Sequence, residues 1–323
     1  MRAIFCGTPP AAVAYLEALC RAGHEIAAVV TQPDRPGRRG RDPVPGPVKR
    51  AAEGLGLPCL QPERLQEAAG QLEGCGADVA IVVAYGQMLP SEVLCCPRLG
   101  CLNVHYSLLP KLRGAAPVQR ALMQNLRTTG VTVQRMAADL DAGDIVQQQA
   151  VRIAPDDNQE SLLARLTEVG VRLVVRLLAA HPQGGWASQP QDQDVVTWAP
   201  SLAKAEGEVD WTRPAEEVAA LVRGLGPSPG AYTTFRGARL RLLAAAVRRF
   251  LTVPGGAPGQ MEELAGQRLG VLCGVGGVEL TTVQPDSRRS MTGAEFVRGA
   301  RLRAGELCGR LPARCSAGST QHG

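Results

Sequence analysis

Residues 78–85 read DVAIVVAY. The five positions Val79, Ala80, Ile81, Val82 and Val83 are all apolar and four are β-branched, with no polar residue at alternate positions. A strand with one wet face shows alternation. An unbroken apolar run of this length belongs to a strand buried on both faces, as in the middle of a parallel sheet. The flanking segments repeat the theme. Upstream, residues 2–6 read as a short buried strand. Residues 11–22 carry Val13, Leu16, Leu19 and Cys20 at helical spacing, and 25–31 form a second strand-like run. Downstream, 101–105 and 130–136 read as strands, and 47–54, 62–75 and 117–126 fit helices. Strands alternating with helices predict an α/β fold: a doubly wound, mostly parallel sheet of Rossmann-like type. Ligands in such sheets bind at the carboxyl ends of the strands.

The texture changes along the chain. Residues 159–180 form a long amphipathic helix with Leu162, Leu163, Leu166, Val169, Leu173, Val174 and Leu177 on one face. A stretch rich in Gln, Pro and Gly follows, read as a linker containing a short strand. Beyond residue 206 come a helix at 217–224 and short strand-like pieces at 231–235, 239–248, 268–273 and 277–284. Gly/Pro turns separate them, which predicts a small β-barrel, with a last helix at 295–302. The expected organisation is a first domain over 1–185, a linker over 186–205, a barrel domain over 206–310 and a disordered tail over 311–323.

Composition narrows the function classes. Of 323 residues, 45% are hydrophobic and 20% charged, which excludes a generally disordered chain. No apolar run approaches the roughly 18 residues of a membrane span, and the N-terminus enters a strand at once without a signal-peptide layout. No membrane association and a cytoplasmic location are expected. The ten cysteines include no Cys-x-x-Cys pair and none has a His at ligand spacing, so no metal is expected. The net charge of +5 is unevenly placed: residues 1–199 hold 19 basic and 19 acidic side chains, residues 200–323 hold 16 and 11. A basic second half suggests an anionic macromolecule as partner.

Chemistry concentrates in residues 102–120, LNVHYSLLPKLRGAAPVQR. Asn103 and His105 close a strand, where an α/β site is expected, and lie on one side of it because side chains alternate. An amide donor beside an imidazole suits acyl transfer: one can hold a developing oxyanion while the other manages a proton. A second cluster, DLDAGD at 139–144, follows strand 130–136. An Asp there can orient His105. Residues 34–50 carry Arg35, Arg38, Arg39, Arg41, Lys49 and Arg50 against Asp34 and Asp42, with glycines and prolines that forbid a helix. Such a basic loop can track phosphates.

Taken in order, GTP at 7–9, TQPDRP at 31–36, VVAYG at 82–86, LNVH, SLLP, RGAAPVQR, GVT and LDAGD resemble the formyltetrahydrofolate-dependent formyltransferase family. RGAAPVQR, TQPDRPGRRG and the EVDW segment at 208–211 point to its branch acting on methionyl-tRNA. The resemblance covers about residues 1–305. It implies formyl transfer from 10-formyltetrahydrofolate to the amino group of initiator methionyl-tRNA, without a metal, by a monomer. It implies a catalytic trio of Asn103, His105 and Asp141. The folate pocket would be lined by Ala84, Tyr85, Gly86, Met88, Leu89 and Pro90, by Ser107, Leu108, Leu109 and Pro110, and by Leu140 and Asp144. Arg38, Arg39 and Arg41 would contact the tRNA acceptor stem, and the second domain would resemble an oligonucleotide-binding barrel. Tyr106 stands where the family has a small residue, and is expected to narrow the approach of the amine. The alternatives on the same scaffold are a sugar-nucleotide N-formyltransferase, a formyltetrahydrofolate hydrolase or a catalytically silent RNA-binding relative.

Overall fold

The computed structural model describes residues 1–36, 43–180, 185–303 and 305–309. By spatial contact the chain divides into two compact units: residues 1–120 with 126–201, and residues 121–125 with 202 onward.

The first unit is built on a seven-stranded sheet. In chain order its elements are β1 (Arg2–Gly7), α1 (Pro10–Arg21), β2 (Glu25–Val30), β3 (Arg35–Pro36), β4 (Pro43–Val44), α2 (Pro47–Gly54), β5 (Cys59–Leu60), α3 (Ala69–Gly74), β6 (Val79–Val83), α4 (Ser91–Cys95), β7 (Cys101–His105), the first part of α5 (Pro117–Met123, whose last three residues count with the second unit), β8 (Thr128–Arg135), β9 (Ile145–Arg152) and α6 (Gln159–Ala180). The strand order is β5-β2-β1-β6-β7-β8-β9. Strands β5 through β7 run parallel, as the apolar runs predict, whereas β8 and β9 add an antiparallel edge. Small β3 and β4 pair separately.

Every residue of β6 is buried, because both sheet faces are covered. Ile4, Cys6, Val30, Ala80, Val82 and Cys101 share one face and pack under Leu65, Leu72 of α3 and Val93 of α4. The alternate residues face the layer of α1 and α6, which touch each other. Pro10 opens α1, where its missing N–H costs nothing, and Ala12, Tyr15, Leu16 and Leu19 form its buried stripe. The 22 residues of α6 bury Leu162, Leu166, Leu173, Val174 and Leu177 in the same way.

The chain leaves β1 for β2 on one side and returns to β6 on the other. The order therefore reverses at β1/β6, and a crevice opens beyond the carboxyl ends there. Residues 186–199, expected as linker, carry bonded segments of the first unit: Gln189 exchanges both backbone bonds with Ile145, and Ala199 bonds to Arg113 and Ala116.

The second unit contains α7 (Ala215–Leu225), strands β10 (Ala231–Phe235), β11 (Ala238–Arg248), β12 (Met261–Leu264), β13 (Arg268–Leu272), β14 (Gly277–Pro285) and β15 (Met291–Thr292), and α8 (Gly293–Ala300). Its antiparallel sheet runs β10-β11-β14-β13-β12, with β15 on β14. Leu240 and Leu242 alternate inward and meet Val218, Val222, Val271, Leu280 and Phe296 in one core. Thr292 and Glu295 form a reciprocal capping box that starts α8. The nine described cysteines form no disulfide, and burial pushes the thiols of Cys101, Cys273 and Cys308 up to about 12. Among the described residues no helix is long and apolar enough to cross a membrane.

Candidate active site

Register decides what meets at the crevice. Asn103 of β7 lies opposite Val82 of β6 on one side and Gln134 of β8 on the other, and His105 lies opposite Thr132. Alternation turns Asn103 and His105 to the same side of the sheet, so Gln134 becomes the lateral neighbour of Asn103. Strand β8 then turns through residues 136–144 into β9, and the neck is closed by the Arg135 N–H donating to the Asp144 carbonyl at 2.9 Å. This hairpin tip carries Asp141 back over the strand ends.

Two features of the tip are steric. Gly143 passes so close to the Arg135 carbonyl that a Cβ would sit 1.7 Å from its oxygen. Asp141 itself holds a left-handed backbone, φ +51°. The side chain gained by this turn is tightly held. Its Oδ1 accepts from Gln134 Nε2 at 3.0 Å and Asn103 Nδ2 at 3.4 Å, and its Oδ2 accepts from the Gly114 N–H at 2.9 Å. His105 Nδ1 lies 3.5 Å from the same Oδ2. The other ring nitrogen, Nε2, is 2.8 Å from the Leu112 carbonyl and donates to it. The imidazole, 6% exposed, thus faces two acceptors, and a neutral ring has one N–H for the two.

These groups form one end of a cavity of about 450 Å³. Its walls come from Val82 and the 84–89 turn after β6, from Gly114, Ala115 and Pro117, and from Gln134, Met136, Ala137 and residues 139–141. Met88 and Leu140, both at least half exposed, stand at its rim. The 84–86 turn is pinned to the switch point: Thr8 Oγ1 donates to the Tyr85 carbonyl at 2.7 Å, and Gln32 Nε2 reaches the same oxygen at 3.4 Å. The Tyr85 hydroxyl is pushed up to about 12, chiefly by burial and then by Cys6 beside it.

The structure brings together Asn103, His105, Asp141, Ala84, Tyr85, Gly86, Met88, Leu89 and Leu140 around this space. Pro90, Ser107, Leu108, Leu109, Pro110 and Asp144 lie outside its walls. Ser107 Oγ donates to the Lys111 carbonyl and its own carbonyl accepts from Thr132, so it fastens the loop rather than facing the cavity. Leu108 covers Gly130, Leu109 is held at both backbone atoms by Thr132 and Gln148, and Asp144 accepts from Ser188. Tyr106 borders the cavity, but its hydroxyl is bonded to Thr167 of α6 at 3.2 Å, on the sheet face opposite Asn103 and His105. The hydroxyl is therefore held in the helix layer, while the ring remains part of the cavity border. Arg38, Arg39 and Arg41 fall outside the described residues.

Several lining residues carry no reading from sequence alone. Gln134 is the one that had a signal: an amide inside the apolar strand GVTVQRM, 2% exposed, must find partners. Gly114, Ala115 and Met136 had none beyond the motif around them. Among the described residues, no cluster of three His, Cys, Asp or Glu gathers as a metal-binding group.

Comparison with known proteins agrees with this architecture. The family described as Formyl transferase matches residues 1–178, and Formyl transferase, C-terminal domain, matches residues 201–301. The methionyl-tRNA formyltransferase of Roseobacter denitrificans is 44% identical over 309 residues, covering 95% of this chain and 98% of that protein. That of Solibacter usitatus is 43% identical, covering 96% and 99%. Among solved structures, HypX from Aquifex aeolicus in complex with tetrahydrofolic acid has a TM-score of 0.66 at 20% identity over 92% of this chain and 47% of that one. The N-formyltransferase from Helicobacter canadensis, in complex with folinic acid and dTDP-3-aminofucose, has a TM-score of 0.65 at 14% identity, over 88% and 98%. At such identities the structural likeness shows the shared fold.

Proposed function

The chain belongs to the formyl transferase family, in the branch of the methionyl-tRNA formyltransferases, and from this premise we propose that it moves the formyl group of 10-formyltetrahydrofolate onto the α-amino group of initiator methionyl-tRNA through Asn103, His105 and Asp141. The observation that carries the mechanism is the convergence of an amide, an imidazole and a carboxylate at one end of a 450 Å³ cavity beside the switch point. A mostly apolar cavity of this size, edged by Met88, Leu89, Met136 and Leu140, suits a flat heteroaromatic ring.

His105 Nε2 is occupied by the Leu112 carbonyl, so the Nδ1 edge is the one that works on substrate. The uncharged amine attacks the formyl carbon, a C–N bond forms and the carbonyl pair moves onto oxygen. Asn103 Nδ2 and the Nδ1–H of the His105 imidazolium, the form with an N–H on both ring nitrogens, donate to that oxyanion. Fixed donors of this kind are typically worth about 100- to 1,000-fold in rate. Asp141 receives the proton lost by the amine, through a water where the distance requires one. His105 supplies a proton to nitrogen 10 of the donor as the old C–N bond breaks, and recovers it from Asp141. The tight donor set on Asp141 holds the carboxylate in place for both exchanges. Asp144 and Ser107 to Pro110 support the walls.

The test is formyl transfer from 10-formyltetrahydrofolate to three acceptors: initiator methionyl-tRNA, free methionine and an amino-sugar nucleotide. Turnover with the aminoacylated tRNA alone is expected. Preference for the amino sugar, or release of formate without any acceptor, would replace this reading with one of the alternatives on the same scaffold.

A further inference from the structure

Behind Asp141 lies a buried arrangement that the trio does not include. Arg113 is 4% exposed, and its bonded partners are amide oxygens: it donates to Gln191 Oε1 through Nε at 3.0 Å and Nη2 at 2.7 Å, and reaches Gln193 Oε1 at 3.4 Å. Gln191, 5% exposed, turns its amide nitrogen the other way, donating to the Asp141 carbonyl at 2.8 Å and the Gly143 carbonyl at 2.7 Å. It also lies 3.4 Å from Gln134 Oε1. One side chain therefore binds the carbonyl of the left-handed residue that presents the carboxylate and the carbonyl two residues beyond it. The segment carrying it is itself tied at two points. Gln189 is bridged to Ile145 at the start of β9, and Thr197 and Ala199 bond to Leu112, Arg113 and Ala116, beside the Leu112 carbonyl that holds His105.

We propose that Gln191, set by Arg113, is a positioning residue for the transfer: it fixes the 141–143 backbone so that the Asp141 carboxylate stays against His105 and Asn103. Residues 189–199 lie between the two matched family regions, 1–178 and 201–301. Arg113 supplies two N–H groups to a single oxygen, which settles the orientation of the Gln191 amide and leaves its NH₂ facing the tip. Without those donors the half-buried Asp141 carbonyl and the buried Gly143 carbonyl lose this partner, and a residue in the left-handed region has less to hold it there. A displacement of about 1 Å at a reacting group is enough to cost on the order of 100-fold in rate.

The inference rests on Asp141 being catalytic, and its test separates the two ideas. Gln191→Glu keeps an oxygen partner for Arg113 but has no N–H for the carbonyls; Gln191→Met has similar length and neither function. Single-turnover formyl transfer is measured for each, alone and with Asp141→Asn, together with KM for both substrates and thermal melting. The expected result is a 10- to 100-fold loss of kcat for Gln191→Glu with KM nearly unchanged, and no further loss when it is combined with Asp141→Asn, because both act through one carboxylate. Multiplicative losses in the double variant, or full activity in Gln191→Glu while Asp141→Asn is impaired, would overturn the proposal and leave the trio standing. Full activity in Asp141→Asn would overturn the catalytic reading itself. If neither Gln191 variant yields folded protein, Gln191 is a fold-holding residue and the proposal also fails.

Discussion

His105 is held from both edges, by the Leu112 carbonyl at Nε2 and by Asp141 at Nδ1, and Asp141 spends its remaining valence on Gln134, Asn103 and Gly114. The result is a set of polar groups whose positions do not depend on the substrate being there, which is what oxyanion stabilisation requires. Tyr106 shows the opposite case at the neighbouring position. Its hydroxyl is spent on Thr167, in the helix layer. Tyr106→Phe is expected to lower stability by roughly 0.5–1.5 kcal/mol, the worth of one buried hydrogen bond, and to leave kcat within about twofold of wild type. Denaturant melts and steady-state kinetics on the same preparation check both numbers; a tenfold fall in kcat without loss of stability would put the hydroxyl in the site.

At the scale of elements, the hairpin tip between β8 and β9 does most to make the site. Its geometry depends on Gly143, where any side chain overlaps the Arg135 carbonyl. Gly143→Ala is expected to cost about 1–3 kcal/mol through overpacking and to reduce transfer more than folate-analogue binding, since Asp141 sits on the displaced segment. Wild-type activity in that variant would show that the tip has another way to seat Asp141. The same elements show what is legible in sequence. β1, β6 and β7 are readable because burial on both faces leaves continuous apolar runs, and Asn103 and His105 follow from alternation at a strand end. Strand β9 is harder: IVQQQAVR lies at the sheet edge with three glutamines, so only Ile145 and Val146 stand out. Its antiparallel pairing with β8 follows from the hairpin at 136–144, and that of β8 with β7 from a long connection through α5, and no local pattern reveals either. Strand β12, with two glutamates in four residues, is lost for the same reason. Gln191 lies 50 residues from the Asp141 backbone it binds, in a stretch whose Gln, Pro and Gly content reads as linker. Local composition has no way to record such a bond.

At the scale of the whole molecule, the charge follows the division into units. Residues 202–323 hold 16 basic and 11 acidic side chains, and residues 121–125 hold none, so the second unit supplies the whole net surplus of five positive charges. Binding of a polyanion through such a surface releases counterions and weakens as salt rises. Arg288 and Arg289 are exposed in the turn between β14 and β15. The double variant Arg288→Gln with Arg289→Gln is expected to lower tRNA affinity and flatten the slope of log affinity against log salt by about one to two, with kcat at saturating tRNA unchanged. Titration at several salt concentrations reads the slope; an unaltered slope would place the phosphate contacts elsewhere on the chain.

The central claim is that one amide and one imidazole at the end of β7 perform the transfer. Single-turnover transfer of the formyl group from 10-formyltetrahydrofolate to methionyl-tRNA, with Asn103→Ala and His105→Ala beside the wild type, tests it most directly. Each variant is predicted to react on the order of 100-fold or more slowly, with binding of a folate analogue and of tRNA retained. Rates within about threefold of wild type in both variants, at full occupancy of both substrates, would contradict the account.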